Sequence, residues 1–269
     1  MKNYCGIDVG CTNIKMVAVL NNKPHHKTVP SRDNLSRKEL IQIICNFYKS
    51  FQTNFSVLGI AFSGYTFDSL TVAHSTLPCL KGLSVTDFQH LKCDNIFLIN
   101  DSNATALSGL TEYPNSKVLI GITNGTGIGC GIAINGSLFS GSNGLAGEIY
   151  GNTIYTANGD ITKIGRICSG SKILKTLSSN PDTVKQASIN LGNLLVSIIH
   201  LYNPDTLYFS GGGFLFDDYL NLSIAYAKEN VYPNFLKNLI FVRDSYNGYS
   251  GCFGAIKFVQ MKSIKDKEV

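Results

Sequence analysis

The sequence predicts an α/β protein made of two similar halves, and three observations lead there. Residues Ile120 to Gly136 read as an apolar strand, a bend carrying Gly125, Gly127 and Gly129, a second apolar strand, and then Asn135-Gly136, the strongest short signal for a two-residue hairpin turn. The same plan occurs from Cys5 to Val19, again strand, Gly/Thr bend and strand, with Asn21-Asn22 as its turn. At one fixed offset Gly6 falls on Gly121, Ile7 on Ile122, Gly10 on Gly125, and Val17 and Val19 on Ile132 and Ile134. After each hairpin, apolar strands alternate with amphipathic helices.

A bend of this composition has two readings. Glycine relieves crowding in a bulged hairpin, or its positive φ lets backbone N–H groups close on a bound anion, with Thr126 adding a hydroxyl. One bend leaves both open. Two copies favour the anion, and a nucleotide held between the halves. The copies differ at Asp8, which stands where the second has Thr123. A carboxylate beside a phosphate repels it unless a cation lies between, so Asp8 predicts a Mg²⁺ position, direct or through water.

Composition sets the outer limits. At 269 residues the chain can bury a large core, and two domains are expected. Hydrophobic content of 44% without a long apolar run points to a globular chain with no membrane partner. Met1-Lys2-Asn3-Tyr4 leads straight into a strand without a signal-peptide core, so a cytoplasmic location is expected. Net charge of +5 is modest, and Lys257, Lys262, Lys265 and Lys267 read as a solvated end, not as a nucleic-acid arm. The eight cysteines are scattered with no C-x-x-C, and the five histidines show no metal-ligand spacing, so no zinc site is expected.

Along the chain, Ser36-Arg37-Lys38-Glu39 is a capping box, and Leu40, Ile43, Ile44, Phe47 and Phe51 give the helix behind it one buried face. Val57 to Phe62 is a buried strand ending at Ser63-Gly64-Tyr65-Thr66, a candidate wall for a ligand, because ligands collect beyond the carboxyl ends of strands. Thr76-Leu77-Pro78 and Lys81-Gly82 read as loop. Asn95 to Ile99 is a strand running into Asn100-Asp101-Ser102-Asn103-Ala104 and a helix to Leu110. There Asp101 is either a helix N-cap or a base that takes a proton from a hydroxyl nucleophile. Two phosphate bends nearby supply the remaining parts for phosphoryl transfer.

Beyond the central hairpin, Gly144-Leu145-Ala146-Gly147-Glu148 is a glycine-rich loop with a single acid, which either starts a helix or accepts bonds from sugar hydroxyls. The polar segment to Gly159 is ambiguous, and helices follow near Ser169 to Ser171 and from about Val184 to Tyr202. Asn203-Pro204-Asp205 stops the second of these, Thr206 to Ser210 is a strand, and Gly211-Gly212-Gly213 opens another helix. That last turn is either a tight strand–helix corner or a third place of close backbone approach to a ligand. Leu239 to Val242 is the last strand, and Gly251 to Ala255 starts a closing helix.

Five of these stretches, in order, resemble the ROK family of sugar kinases and repressors, within the actin-like superfamily. Gly6-Ile7-Asp8-Val9-Gly10-Cys11-Thr12-Asn13-Ile14-Lys15 is similar to its first phosphate motif and Asn100-Asp101-Ser102-Asn103-Ala104 to its catalytic N-D-x-N-A. Gly125-Thr126-Gly127-Ile128-Gly129 with Asn135-Gly136 resembles the second phosphate motif, Gly144 to Glu148 the sugar-binding G-x-x-G-E, and Asn203 to Gly213 the adenosine-side strand and turn. The resemblance implies two ribonuclease H-like α/β domains with a cleft between them: residues 1–113, joined by a closing helix at 252–269, and residues 114–251. It implies an ATP- and Mg²⁺-dependent kinase acting on a hydroxyl, usually the 6-OH, of a hexose or N-acetylhexosamine, and a homodimer. Asp101 would be the general base. Asn100 and Glu148, with Ser63, Gly64 and Thr76 of the neighbouring loops, would hold the sugar. Asp8, Gly10, Thr12, Asn13, Lys15, Thr126 and Gly127 would serve Mg²⁺ and the phosphates, and Gly212 and Gly213 would lie near adenosine.

The departures bear on the sugar. Many members follow the sugar-binding Glu with a His and a zinc-binding cysteine cluster, whereas Glu148-Ile149-Tyr150-Gly151 lacks that His and no cysteine follows before Cys168, which implies a zinc-free branch. Thr76-Leu77-Pro78 stands where N-L-P is frequent, and Cys11 and Cys130 where glycine is commoner. Tyr246 to Gly251 resembles allose kinases, while N-acetylmannosamine kinases also include zinc-free members, so the sugar stays open. The rival readings are a sugar-sensing regulator, whose DNA-binding domain would have to precede Cys5, and a non-catalytic sugar-binding remnant, against which Asp101 argues.

Overall fold

A computed structural model describes residues 3–32, 34–155, 160–177 and 181–265. Residues 156–159 of the ambiguous polar segment, the first two residues, and Lys267 with the rest of the 266–269 tail lie outside the described residues. The chain opens with an antiparallel meander, β1 (Tyr4–Val9), β2 (Asn13–Leu20) and β3 (Lys23–Pro30). Helix α1 (Arg37–Lys49) follows, and then β4 (Phe55–Phe62) and β5 (Cys93–Asn100), both laid parallel in the same sheet. Helix α2 (Asp101–Glu112) leads to a second meander, β6 (Val118–Asn124), β7 (Ile128–Ile134) and β8 (Ser137–Leu138). A small ribbon, β9 (Thr153–Tyr155) with β10 (Ile161–Lys163), precedes α3 (Ile164–Ile167), α4 (Gly170–Leu177) and α5 (Pro181–Tyr202). The chain ends with β11 (Thr206–Ser210), α6 (Asp217–Asn230), α7 (Pro233–Leu236), β12 (Ile240–Arg243) and α8 (Ser250–Lys265).

The first sheet has the order β3-β2-β1-β4-β5, and the second, read from its far edge, has β8-β7-β6-β11-β12. Each is three antiparallel strands followed by two parallel ones, so the duplication read from the hairpins extends to whole sheets. The two-domain α/β class predicted from the sequence is the fold observed.

One correspondence is corrected. In the first hairpin Ile7 faces Met16 and Gly6 faces Val17. In the second Ile122 faces Cys130 and Gly121 faces Gly131. The offset that aligns β1 with β6 is therefore one residue out for β2 and β7. Ala18 and Leu20, not Val17 and Val19, correspond to Ile132 and Ile134. A one-residue slip sends every side chain to the opposite face. Burial decides the register: Cys130 and Ile132 face a core built on Leu191, Leu194 and Leu195 of α5, as Ile14 and Met16 face Leu40 and Ile44 of α1.

The local signals are met where they were strongest. Ser36 and Glu39 form the complete capping box at α1. Asn21, Asn22, Asn135 and Gly136 all take the positive φ that two-residue hairpin turns require. The ribbon of β9 and β10 has no counterpart in the sequence reading, because three-residue polar strands carry no periodicity to detect.

Between the sheets lie α2 and α8, and each rests on the sheet of the other half. α8 crosses the first sheet at Gly6 and Gly59, where any side chain would run into the backbone carbonyls of Cys252 and Ala255. α2 crosses the second sheet at Gly121, where an added Cβ would come 2.8 Å from the Ala106 backbone, and at Gly131, where it would collide with the Ser102 carbonyl. The two helices meet at Gly254, which lies against the Ala104 carbonyl. Leu107, Leu110, Leu119, Tyr208, Ala255 and Phe258 fill this middle layer. Among the described residues no helix is long and apolar enough to cross a membrane.

Candidate active site

Asp8, Ser63, Asn100, Asn124 and Gly211 stand at or just beyond the carboxyl ends of β1, β4, β5, β6 and β11. Asp8 is the penultimate residue of β1 and Asp101 is the first residue of α2. Asn100, not Asp101, is the N-cap: its Oδ1 accepts from Ser102 N at 2.9 Å and Asn103 N at 3.0 Å. That frees the Asp101 carboxylate from capping. One of its oxygens accepts from Ser102 N at 2.8 Å, and the Ser102 hydroxyl is tied at 2.8 Å to Thr123, the residue that replaces Asp8 in the second hairpin.

Burial pushes the Asp101 carboxyl up to about 7, the Asp8 charge adds to the rise and Glu148 adds a little more, while the Ser102 N–H and hydroxyl oppose it. Burial likewise lifts Asp8 to about 6, with the Lys15 ammonium pulling down. Glu148 is also raised by burial, against the charge of His74. Three carboxylates that resist ionisation, each chiefly because it is buried and Asp101 also because of Asp8 and Glu148, form a site built to receive positive charge or a donating hydroxyl. Hard carboxylate oxygens beside bends of glycine and threonine suit Mg²⁺, so the residues present fit that ion.

The bends suit a phosphate chain. The Thr12 and Thr126 hydroxyls, one from each hairpin, lie 3.0 Å apart, so both bends border one space. Gly125 and Gly212 face open space, and Gly127 has only the Tyr150 ring nearby, 3.9 Å from where a Cβ would be. Gly10 closes its bend with an N–H to the Asn13 carbonyl at 3.0 Å. Gly211 takes φ 109° as the chain turns, and residues 212–215 form a single 3-10 turn ahead of α6, in place of the expected direct helix start at Gly211-Gly212-Gly213.

The acceptor side is a set of loops latched to one another. Asn100 Nδ2 donates to the Gly64 carbonyl at 2.8 Å, and Ser75 Oγ donates to the Ser63 carbonyl at 2.6 Å. Most of the Asn100 amide is thus taken up in positioning the strand end and the Gly64 loop. Thr76 is exposed beside Ser75. Lys15 donates to the Gly248 carbonyl at 2.6 Å, which ties β2 to the turn before α8, and its charge acts on Asp8.

Sequence reasoning missed two residues here. His74 opposes the rise of the Glu148 carboxyl, although it lies 74 positions away in sequence. Asn124 is wholly buried with both side-chain polar atoms unpartnered, boxed in by Gly170, Gly211 and Gly213. The one available signal was a polar residue at the end of an apolar strand.

A two-lobed α/β protein with paired glycine-rich bends and a strand-end carboxylate is the class that fold and site define. Within it the chain belongs to the ROK family, whose model matches residues 4–262. It is 29% identical over 160 residues to an N-acetyl-D-glucosamine kinase of Histophilus somni (strain 129Pt), a match covering 54% of this chain and 50% of that protein. The chain thus spans about half the length of that relative. Its fold is similar to that of a ROK family protein from Streptococcus pneumoniae TIGR4 in complex with sucrose, with a TM-score of 0.80 at 19% identity over 98% of this chain and 99% of the other. It is similar in the same way to a ROK glucokinase from Streptomyces griseus in complex with glucose and AMPPNP, with a TM-score of 0.76 at 18% identity over 96% and 99% of the two chains.

Proposed function

We propose that the chain is an ATP-dependent sugar kinase that transfers the γ-phosphate to the 6-OH of a hexose or N-acetylhexosamine. The observation that carries this reading is Asp101: a carboxylate relieved of capping, fixed through one oxygen by Ser102 N–H, and poised near neutrality by burial and by Asp8. A general base works best when its pKa lies near the working pH. Asp101 takes the proton of the sugar hydroxyl as its oxygen bonds to the γ-phosphorus, and the bond from that phosphorus to the bridging oxygen breaks to release ADP.

Thr12, Thr126 and the N–H groups around Gly10 and Gly127 hold the phosphates, Gly212 and Gly213 flank the adenosine, and Asp8 holds Mg²⁺, which supplies charge neutralisation on the phosphates when bound. Glu148 accepts bonds from ring hydroxyls, while Ser63, Gly64, Thr76 and Asn100 shape the loops around the ring. Residues 1–113 with the closing helix at 252–269 form one closing body and residues 114–251 the other, with closure excluding water from the phosphoryl group. The similarity to an N-acetyl-D-glucosamine kinase and to a ROK glucokinase supports the class. A cytoplasmic homodimer is part of the same reading, and exposed Leu201 and Tyr232 offer an apolar surface for it.

The test couples ADP release to a readout with Mg·ATP against glucose, allose, mannose, fructose, N-acetylmannosamine and N-acetylglucosamine. Sugar-dependent release that disappears in Asp101→Asn is expected. Sugar binding without any release would move the reading to a sensor or a remnant.

A further inference from the structure

We infer that the Ser102 hydroxyl, held by Thr123, is a positioning group for the Asp101 carboxylate, through which the hairpin carrying the second glycine bend acts on the base. This rests on reading Asp101 as the base. Ser102 is the second residue of α2 and faces the second sheet. Its Oγ lies 2.8 Å from Thr123 Oγ1 on β6 and donates to Asp101 Oδ1 at 3.3 Å. A serine hydroxyl has one proton, and with that proton on the carboxylate Thr123 supplies the proton of the shorter bond. Donation therefore runs one way, from Thr123 to Ser102 to Asp101, and ends on the charge.

The place is built for that hydroxyl. Thr123 pairs with Gly129 across the hairpin, and a Cβ on Gly129 would strike Ser102 Oγ and come 2.9 Å from Thr123 Oγ1. The strand thus lacks a side chain where the hydroxyl enters. The first half shows that packing does not demand the hydroxyl. α8 crosses the first sheet as α2 crosses the second, and its second residue is Gly251, which has no side chain. There the strand residue is Asp8 in place of Thr123, and its partner across the hairpin is Lys15 in place of Gly129. A Cβ on Gly251 would lie 2.6 Å from Asp8 Oδ2. One crossing leaves room for a carboxylate, and the other fills the same place with two hydroxyls.

Both bonds from Ser102 to Asp101, the N–H at 2.8 Å and the hydroxyl, fall on Oδ1. Among the described residues no hydrogen bond reaches Oδ2, the oxygen left for a donating substrate. A carboxylate fixed through one oxygen presents the other in a set direction, as a base must toward the proton it takes. The tighter contact of the hydroxyl is the one to Thr123, two residues ahead of Gly125, so the hydroxyl follows the second hairpin and not α2 alone. Donation to the ionised form also opposes the rise that burial gives the Asp101 carboxyl.

The test uses the full chain with Ser102→Ala, Thr123→Val and Thr123→Ser. The Asp101 carboxyl is titrated by carboxyl-carbon NMR without nucleotide or sugar, its signal assigned by its absence from Asp101→Asn. The pH profile of sugar-dependent ADP release is measured beside it. Removing either hydroxyl weakens donation to the ionised form, so the midpoint should rise by about 0.5–1 pH unit in Ser102→Ala and Thr123→Val and return in Thr123→Ser. Turnover near pH 6 should then fall about three- to tenfold, with the high-pH plateau and the KM values little changed. A hydroxyl that served only packing would cost stability at every pH and leave the midpoint alone. A midpoint unmoved or lowered in either hydroxyl-free variant overturns the inference, as does a shift in Thr123→Val that Thr123→Ser fails to reverse. The kinase reading is decided separately. A raised NMR midpoint in a protein that turns over no sugar keeps the hydroxyl pair and removes the kinase, whereas turnover whose profile ignores all three variants, with the NMR midpoint unmoved, keeps the kinase and removes the pair.

Discussion

The two halves of this molecule share a sheet order and strand directions and differ at their bends. The first hairpin ends in a carboxylate, Asp8, raised to about 6 by burial. The second has Thr123 at that place, hydrogen-bonded to Ser102, and more open glycine: Gly125 faces free space, whereas at Gly10 an added Cβ would lie 3.1 Å from the Asn13 carbonyl. On the proposed reading both bends would cradle anions, and only the first carries a carboxylate that could hold a cation beside the phosphate chain.

The comparison can be broken or sharpened in order of expected effect. Asp101 belongs to the first half by chain and to the second by packing, and Asp101→Asn should lower sugar-dependent ADP release by about 10²–10⁴-fold with sugar affinity nearly unchanged. Turnover that stays within a few-fold of the parent would remove Asp101 from the chemistry. Making the bends alike, with Asp8→Thr, should cost roughly 10²-fold in turnover at saturating sugar. It should also lower the pH midpoint of the residual rate, because the Asp8 charge helps to raise Asp101.

With Asp101 as the proposed base, active only when ionised, the rate of the parent protein should climb with pH through about 7 and level off above it. An unchanged rate down to pH 5 would assign the base elsewhere. The same shift has a stability consequence. An acid whose folded pKa is raised binds its proton more tightly in the native state, so stability falls as pH rises from its unfolded value toward about 7. Asp101→Asn should therefore be more stable than the parent at pH 8, by roughly 1–2 kcal/mol given the carboxylate's partial exposure, and equal to it near pH 3.

The shared middle layer is tested by Gly254→Ala. A methyl group there meets the Ala104 carbonyl and should destabilise by about 2–3 kcal/mol in a denaturant titration. The smallest expected effect separates the outer helices. α1 has a capping box at Ser36, whereas α6 opens at Phe216 with no side-chain cap. Ser36→Ala should cost about 1 kcal/mol, and no removal of a side-chain cap can do the same at α6.

The sequence by itself determined what depends on neighbours a few residues apart. The strands, the Asn-Gly turn, the capping box, the glycine bends and Asp101 at a strand end were legible because their physics is local: alternation, positive φ and orphan N–H groups at a helix start. The motifs sit at those local features, which is why the family resemblance was also readable. Tertiary structure alone decided the rest. The register of β7 depends on α5 burying Cys130 and Ile132 while α2 presses on Gly131, and neither helix adjoins that strand in sequence. The exchange of α2 and α8 between sheets turns on glycines at Gly6, Gly121 and Gly254 that read as ordinary strand and helix residues. Asn100 spends its amide on Gly64 and Lys15 its ammonium on Gly248, both because the chain brings together groups far apart in sequence. Local preference selects the elements, and only close packing at long range selects which faces of those elements meet.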